Sequence, residues 1–197
     1  MKRFGIFGGA FNPIHMAHLI IAEVVREQLY LDRIIFIPYA NPPHKSNDEL
    51  IDASHRIDML KLAISANPYF EISDIEIQNA RFSKSYTVDT LINLRNIYGS
   101  DQIKFYLIIG VDNLIELHTW KEPGKLFILS EVVVINRPGF VIKNVKNEYA
   151  GQATYISAPN IDISATLIRQ KVKENKSIKY LVPELVEKYI INNNLYR

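Results

Sequence analysis

Apolar residues along this chain follow two rhythms. Short continuous runs recur at Arg33–Tyr39 (RIIFIPY), Phe105–Ile109 (FYLII) and Glu131–Asn136 (EVVVIN), and a shorter one, with Phe4, Ile6 and Phe7, lies near the start. Such runs predict parallel strands buried on both faces, where every side chain meets a core. Between them the apolar positions move to a spacing of three and four, which predicts amphipathic helices. One helix carries Ile20, Ile21, Val24, Val25 and Leu29. A second runs over Ser54–Asn67, with Ser54 as its N-cap and Pro68 as its stop. A third passes from Tyr86-Thr87 through Leu91, Ile92, Leu94 and Tyr98 to Gly99. A fourth starts at Asp162-Ile163-Ser164 and continues through Leu167, Ile168 and Val172. Val182-Pro183 opens the last, with the proline at a helix-compatible first position. Phe70–Ile77 (FEISDIEI) alternates and predicts a half-exposed strand, and Thr154–Ser157 a short one. The polar stretches 40–53, 78–85 and 140–153 predict loops; Pro42-Pro43 and few apolar anchors mark the first as mobile.

Strands alternating with helices imply a mostly parallel sheet with helices on both faces. The fold class is therefore α/β, a doubly wound Rossmann-like domain expected to span residues 1–197, with no repeat or evident linker. Composition adds bounds. Apolar content of 48% and charged content of 22% are those of an ordinary globular protein. A formal net charge of +2 gives no reason to expect a nucleic-acid partner. No apolar run approaches the ~20 residues of a membrane helix, and glycine, Asn and Pro interrupt the first apolar stretch, so neither a membrane nor a signal peptide is expected. With no cysteine there are no disulfides, thiolate metal sites or Cys nucleophile. A reduced, cytoplasmic protein is the expectation, and a homo-oligomer is left open.

Candidate chemistry concentrates in the first strand–turn–helix. Gly8 and Gly9 let backbone N–H groups approach a ligand with no Cβ in the way. The helix that follows offers its unpaired N–H groups and positive dipole end to the same place, which is a phosphate site. His15 and His18, spaced i, i+3, share one face of the first helical turn. A Walker A loop would need a Lys-Ser or Lys-Thr pair, and a dinucleotide fingerprint would need G-x-G-x-x-G; neither is present. A zinc pair at these histidines would need further ligands, and His44 and His55 lie in no ligand motif. A second helix start, DISATLIR, sets Ser164 and Thr166 in a first turn with Arg169 one turn on, suited to bidentate contact with phosphate. Asp112 follows the FYLII strand at its carboxyl end, where ligands bind in open parallel sheets.

GGAFNPIHMAH resembles the G-G-x-F-[ND]-P-x-H-x-[GA]-H signature of the nucleotidylyltransferase superfamily, with Ala17 where glycine is commonest. DISATLIR resembles its second signature, I-S-[SA]-T-x-I-R, and SYTVDTL its S-Y-T-x-[DE]-T-[LI] segment. The likeness covers nearly the whole chain and is greatest to the bacterial nicotinate mononucleotide adenylyltransferases. It implies transfer of AMP from ATP to nicotinate mononucleotide, with Mg²⁺ accompanying ATP; the same chemistry on nicotinamide mononucleotide or phosphopantetheine, and nucleotide binding without catalysis, stand as alternatives. It implies that His15 and His18 contact the triphosphate and stabilise charge at the α-phosphorus, while Lys45 and Arg169 neutralise the leaving pyrophosphate. Gly8, Gly9, Phe11, Asn12, Gly110, Asp112, Ser164 and Thr166 would bind ATP. Ser85, Tyr86 and Thr87 would receive the pyridine end of the mononucleotide at a helix N-terminus, and Trp120 would stack on its ring. Simpler roles stand beside these: a solvated Lys45, a core Trp120, a helix-capping Ser164 and a loop-capping Asp112.

Overall fold

The computed structural model describes residues 1–40, 50–79, 85–99, 102–136 and 148–197. In chain order the elements are β1 (Lys2–Gly9), α1 (Met16–Gln28), β2 (Arg33–Pro38), α2 (Ala53–Ile64), β3 (Phe70–Ile72), α3 (Ile75–Asn79), α4 (Thr87–Tyr98), β4 (Ile103–Gly110), α5 (Val111–Glu116), α6 (Pro123–Leu129), β5 (Glu131–Ile135), β6 (Thr154–Ile156), α7 (Ala165–Lys173) and α8 (Glu184–Asn192). Six strands form one sheet in the order β3-β2-β1-β4-β5-β6, and every adjacent pair is parallel. From β1 the chain winds outward to β3, then returns to β4 on the other side and winds outward to β6. The strand order therefore reverses between β1 and β4, and a crevice opens beyond their carboxyl ends.

The continuous apolar runs have a direct cause. Ile34 and Phe36 of β2 enter a core with Ala22 and Val25 of α1, Met59 and Leu60 of α2, Ile168 of α7 and Val186 of α8. Ile35 and Ile37 enter the opposite core with Val88, Leu91 and Leu94 of α4, Leu114 of α5 and Leu126 of α6. In β4, Tyr106 and Ile108 face the first core, Phe105, Leu107 and Ile109 the second; β5 divides Val133 and Ile135 from Val132 and Val134 in the same way. Each fully buried aliphatic or aromatic side chain contributes roughly 1.5–3 kcal/mol relative to exposure. The central strands are anchored from both sides, so the turns at their carboxyl ends rest on a rigid base.

Several expectations meet differences. The half-exposed strand over Phe70–Ile77 is β3 for three residues only; Ser73 makes a last rung to Phe36, and the chain then turns into α3. Asp74 directs that change, its carbonyl accepting from the Gln78 N–H and its carboxylate from the Gln78 side chain at 2.8 Å. Helix α2 starts at Ala53 with Asp52 in the cap position rather than Ser54, and it ends at Ile64, before Pro68 is reached. Pro183 occupies the cap position of α8, one residue ahead of the first helical one. Gly99 closes α4 as expected, with φ 80°. The loops expected at 40–53, 78–85 and 140–153 fall largely outside the described residues.

Candidate active site

The β1–α1 turn is built around aromatic packing. Phe11 adopts φ 47° and lies edge-on to Phe7 and Phe36 in the core beneath the turn. Its ring covers Gly9 so closely that a Cβ there would stand 3.0 Å from Cζ, which is why this position is glycine. A Cβ on Gly8 would meet nothing within 4 Å and would instead occupy the open crevice.

Helix α1 begins immediately after this turn, with His15 in the cap position. The His15 backbone N–H donates to Nδ1 of His18 at 3.3 Å. That bond makes Nδ1 an acceptor and leaves Nε2 of His18 as the protonated nitrogen. The two imidazoles stack at 3.7 Å, and the His18 ring also meets Phe11 and Phe7 edge-on at 5.2 and 6.0 Å. Packing on three sides therefore fixes a donor at the mouth of the helix.

Arg169 reaches the same turn from α7. Its Nη1 donates to the Asn12 carbonyl at 3.1 Å, and Nη2 makes a long 3.4 Å contact with Thr166 Oγ1. The buried Asn12 side chain accepts from the Tyr196 hydroxyl at 2.8 Å, so three distant parts of the chain meet at one residue. Burial pushes the Tyr196 hydroxyl well above the ordinary tyrosine range, against the pull of Arg169 and Arg56, so this hydroxyl is a donor throughout the working pH range. Ser164 serves as the N-cap of α7, its Oγ accepting from the Leu167 N–H at 3.1 Å. The capping reading of Ser164 thus describes its hydroxyl, while its position also borders the cleft.

Across the switch point, Gly110 ends β4, and the Asp112 carboxylate folds back over it where a Cβ would collide. A short 3₁₀ turn over Leu117–Thr119 then delivers Trp120, which is half-buried, and the Trp120 N–H donates back to the Leu117 carbonyl. Opposite stands the start of α4, with Tyr86 in its cap position and making no cap bond from its own side chain. Lys121 sits 4.9 Å over the Tyr86 ring and pairs with Asp89 at 2.9 Å. Beneath, Glu76 of α3 accepts from the Thr90 hydroxyl at 2.7 Å and interacts with Ser85. Burial raises the Glu76 carboxyl above the usual carboxylate range, partly offset by those two hydroxyls.

A cleft of about 650 Å³ joins these parts. Gly8, Gly9, Phe11, Asn12, His15, His18, Ser85, Tyr86, Thr87, Gly110, Asp112, Trp120, Ser164, Thr166 and Arg169 all line it. Lys45 and His44 lie outside the described residues. His55 lies elsewhere, its ring bonded to the Tyr189 hydroxyl at 2.9 Å between α2 and α8, so it does not join His15 and His18. Among the described residues no group of three or more His, Cys, Asp or Glu side chains is arranged to hold a metal ion, and no helix is long and apolar enough to cross a membrane. Sequence reasoning missed Glu76, Lys121 and Arg56. Arg56 had left a trace: it shares a helical face with Met59, Leu60 and Ala63, a cation in an apolar stripe.

A histidine pair, two helix N-termini and a guanidinium, gathered at the switch point of a parallel sheet, define an α/β protein that handles nucleotide phosphates. Comparison with known proteins agrees. The model of the cytidylyltransferase-like family matches residues 6–171. The chain is 40% identical over 196 residues to the nicotinate-nucleotide adenylyltransferase of Bacillus subtilis, covering 100% of this chain and 99% of that protein. It is 42% identical over 202 residues to a protein of Moorella thermoacetica named "probable nicotinate-nucleotide adenylyltransferase", covering 99% and 92%. Its fold is that of the Plasmodium falciparum nicotinic acid mononucleotide adenylyltransferase complexed with NaAD, with a TM-score of 0.81 at 23% identity over 100% of this chain and 98% of that one. The chain belongs to the cytidylyltransferase-like family and, within it, to the nicotinate-nucleotide adenylyltransferases.

Proposed function

We infer that this chain transfers the adenylyl group of ATP to nicotinate mononucleotide, giving nicotinate adenine dinucleotide and pyrophosphate in NAD biosynthesis. The observation that carries the reading is one cleft lined both by the aromatic side chains Tyr86 and Trp120 and by the β1–α1 turn, His18 and Arg169. A 5′-phosphate oxygen of the mononucleotide attacks the α-phosphorus of ATP. A new P–O bond forms as the bond to the bridging oxygen breaks, and pyrophosphate leaves with that electron pair. Such a transfer asks the protein for alignment and charge stabilisation rather than a covalent nucleophile.

The roles proposed for the residues draw on their places along the cleft and, for Lys45, on the family resemblance. His18 donates from Nε2 to the phosphate oxygens that gain charge, and His15, stacked against it, holds that orientation and lines the same wall. Arg169 and Lys45 neutralise the departing pyrophosphate. Gly8, Gly9, Phe11 and Asn12 shape the turn against the triphosphate, and Ser164 and Thr166 present the start of α7 to it. Gly110 and Asp112 receive ribose hydroxyls. Trp120 stacks on the pyridine ring, and the N–H groups that open α4, beside Ser85, Tyr86 and Thr87, receive the nicotinate carboxylate. Mg²⁺ accompanying ATP would supply positive charge to the triphosphate, held by substrate oxygens and water more than by protein side chains. The reaction is assigned to the cytoplasm, in keeping with a cysteine-free chain.

Direct attack is tested with ATP labelled at the α-phosphorus. With no acceptor present, the protein should carry no label and should not exchange pyrophosphate into ATP. Label retained on denatured protein would replace direct attack with a covalent adenylyl intermediate.

A further inference from the structure

Behind the phosphate end of the cleft, outside its lining, lies Arg56, a cation 1% exposed. Its Nη1 donates to two carbonyls, Ala10 at 2.9 Å and Tyr39 at 2.8 Å, and its Nε donates to the Ile51 carbonyl at 3.2 Å. One nitrogen thereby fastens the turn leaving β1 to the end of β2, and the rest of the side chain ties both to the entry of α2. Among the described residues it makes no ion pair, and the three carbonyls it bonds leave the positive charge intact.

The carbonyls of this turn set the direction of the N–H groups that follow them, and Arg56 holds one carbonyl directly and the other through Tyr39. The Gly9 carbonyl accepts from the Tyr39 N–H at 3.1 Å, and the Ala10 carbonyl accepts from Arg56. Both are drawn toward the β2–α2 side. In a planar trans peptide the C=O and N–H point in opposite directions. The N–H groups of Ala10 and Phe11 are consequently turned away from β2, toward the cleft that Gly8, Gly9, Ala10 and Phe11 line. Phe11 holds φ 47°, a left-handed conformation of the kind that completes concave backbone nests for anions and that persists only where the surroundings fix it. A guanidinium stays charged when buried, and at this depth water screens it weakly.

We propose that Arg56 is a positioning residue for adenylyl transfer, one that never touches substrate but holds the Phe11 N–H toward the triphosphate through the Ala10 carbonyl, steadies the Ala10 N–H beside it by anchoring Tyr39, whose N–H holds the Gly9 carbonyl, and places a buried positive charge behind both. The inference deepens the adenylyltransferase reading and rests on it. A purely structural Arg56 would serve only to dock α2.

The test uses the full chain with Arg56→Lys, which keeps charge, and Arg56→Gln, which keeps a donor without charge. ATP, pyrophosphate and adenosine are titrated by calorimetry, and turnover and melting midpoint are measured alongside. Expected for Arg56→Gln are affinities for ATP and pyrophosphate weaker by roughly tenfold or more, the size of a lost charge-assisted contact. Turnover should fall by a similar factor, adenosine affinity should stay unchanged, and Arg56→Lys should fall between. ATP, pyrophosphate and turnover within about twofold of the parent in either folded variant would overturn the proposal, as would equal losses for ATP and adenosine. In the parent protein, pyrophosphate should shift the ¹⁵N-labelled amide signals of Ala10 and Phe11 more than those of other turn residues. Unmoved signals would overturn it with no variant involved. A parent that binds pyrophosphate but transfers no adenylyl group would instead defeat the functional reading and leave the positioning result standing.

Discussion

Replacing His18 separates the two ends of its ring. Nδ1 accepts from the His15 N–H at 3.3 Å, a long bond worth about 0.5–1 kcal/mol. Ring contacts with Phe11 at 5.2 Å, Phe7 at 6.0 Å and His15 at 3.7 Å contribute about 0.5–1.5 kcal/mol each. His18→Ala forfeits all of these, so about 2–5.5 kcal/mol of stability should go, with a melting midpoint lower by roughly 4–22 °C for a chain of this size. The chemical loss is separate from this and is read in turnover. Removing a donor aimed at developing charge costs about 100- to 1,000-fold in turnover, or roughly 3–4 kcal/mol. His18→Asn can place its carbonyl near the Nδ1 position and keep the His15 bond while lacking the distal donor. His18→Gln reaches the Nε2 position with an N–H. With pyrophosphate release as the assay, His18→Asn should fall about 100-fold or more, and His18→Gln should exceed it by about tenfold. A folded His18→Asn within about threefold of the parent would refute the assignment of Nε2 as the charge-stabilising donor, and so would a Gln variant no better than Asn.

Trp120→Ala should raise KM for nicotinate mononucleotide by about tenfold, the loss of one stacking surface, with KM for ATP moved less than about twofold; equal losses would make Trp120 a core residue only. Tyr196→Phe leaves the buried Asn12 oxygen without its 2.8 Å donor and should cost about 1–3 kcal/mol, read as a melting midpoint several degrees lower. An unchanged midpoint would show that this bond contributes nothing net. Burial raises the Glu76 carboxyl in the folded state, so its contribution favours folding at acidic pH and is lost as pH climbs from the ordinary carboxylate value through the raised one. The melting midpoint of Glu76→Gln, relative to the parent, should therefore improve as pH rises above the ordinary carboxylate value; a constant difference would contradict that sign.

The strands and helices were legible because their causes are local. RIIFIPY reads as a buried strand since Ile34 and Phe36 face one core while Ile35 and Ile37 face the other. The β1–α1 and α7 motifs were legible for the same reason, since turn, cap and cation lie within a few residues of each other. FEISDIEI misled because its apolar positions pass from a spacing of two to a spacing of three at Ser73-Asp74, where β3 gives way to α3. What stayed hidden depends on distant partners. Arg56 meets a carbonyl 46 residues away, and Tyr196 meets Asn12 across 184 residues. No spacing rule reports such pairs, although a lone arginine in an apolar stripe marks a place to look. Glu76 was obscured by the strand expected over it; as part of α3 it turns under the start of α4 and binds Thr90.

Adenylyl transfer to a pyridine mononucleotide is best tested by pyrophosphate release from Mg-ATP with three acceptors in turn: nicotinate mononucleotide, nicotinamide mononucleotide and phosphopantetheine. The prediction is fastest release with nicotinate mononucleotide, accompanied by stoichiometric nicotinate adenine dinucleotide. Faster release with either of the others would contradict the acceptor pocket at Tyr86 and Trp120, and release with none would contradict adenylyl transfer by this cleft.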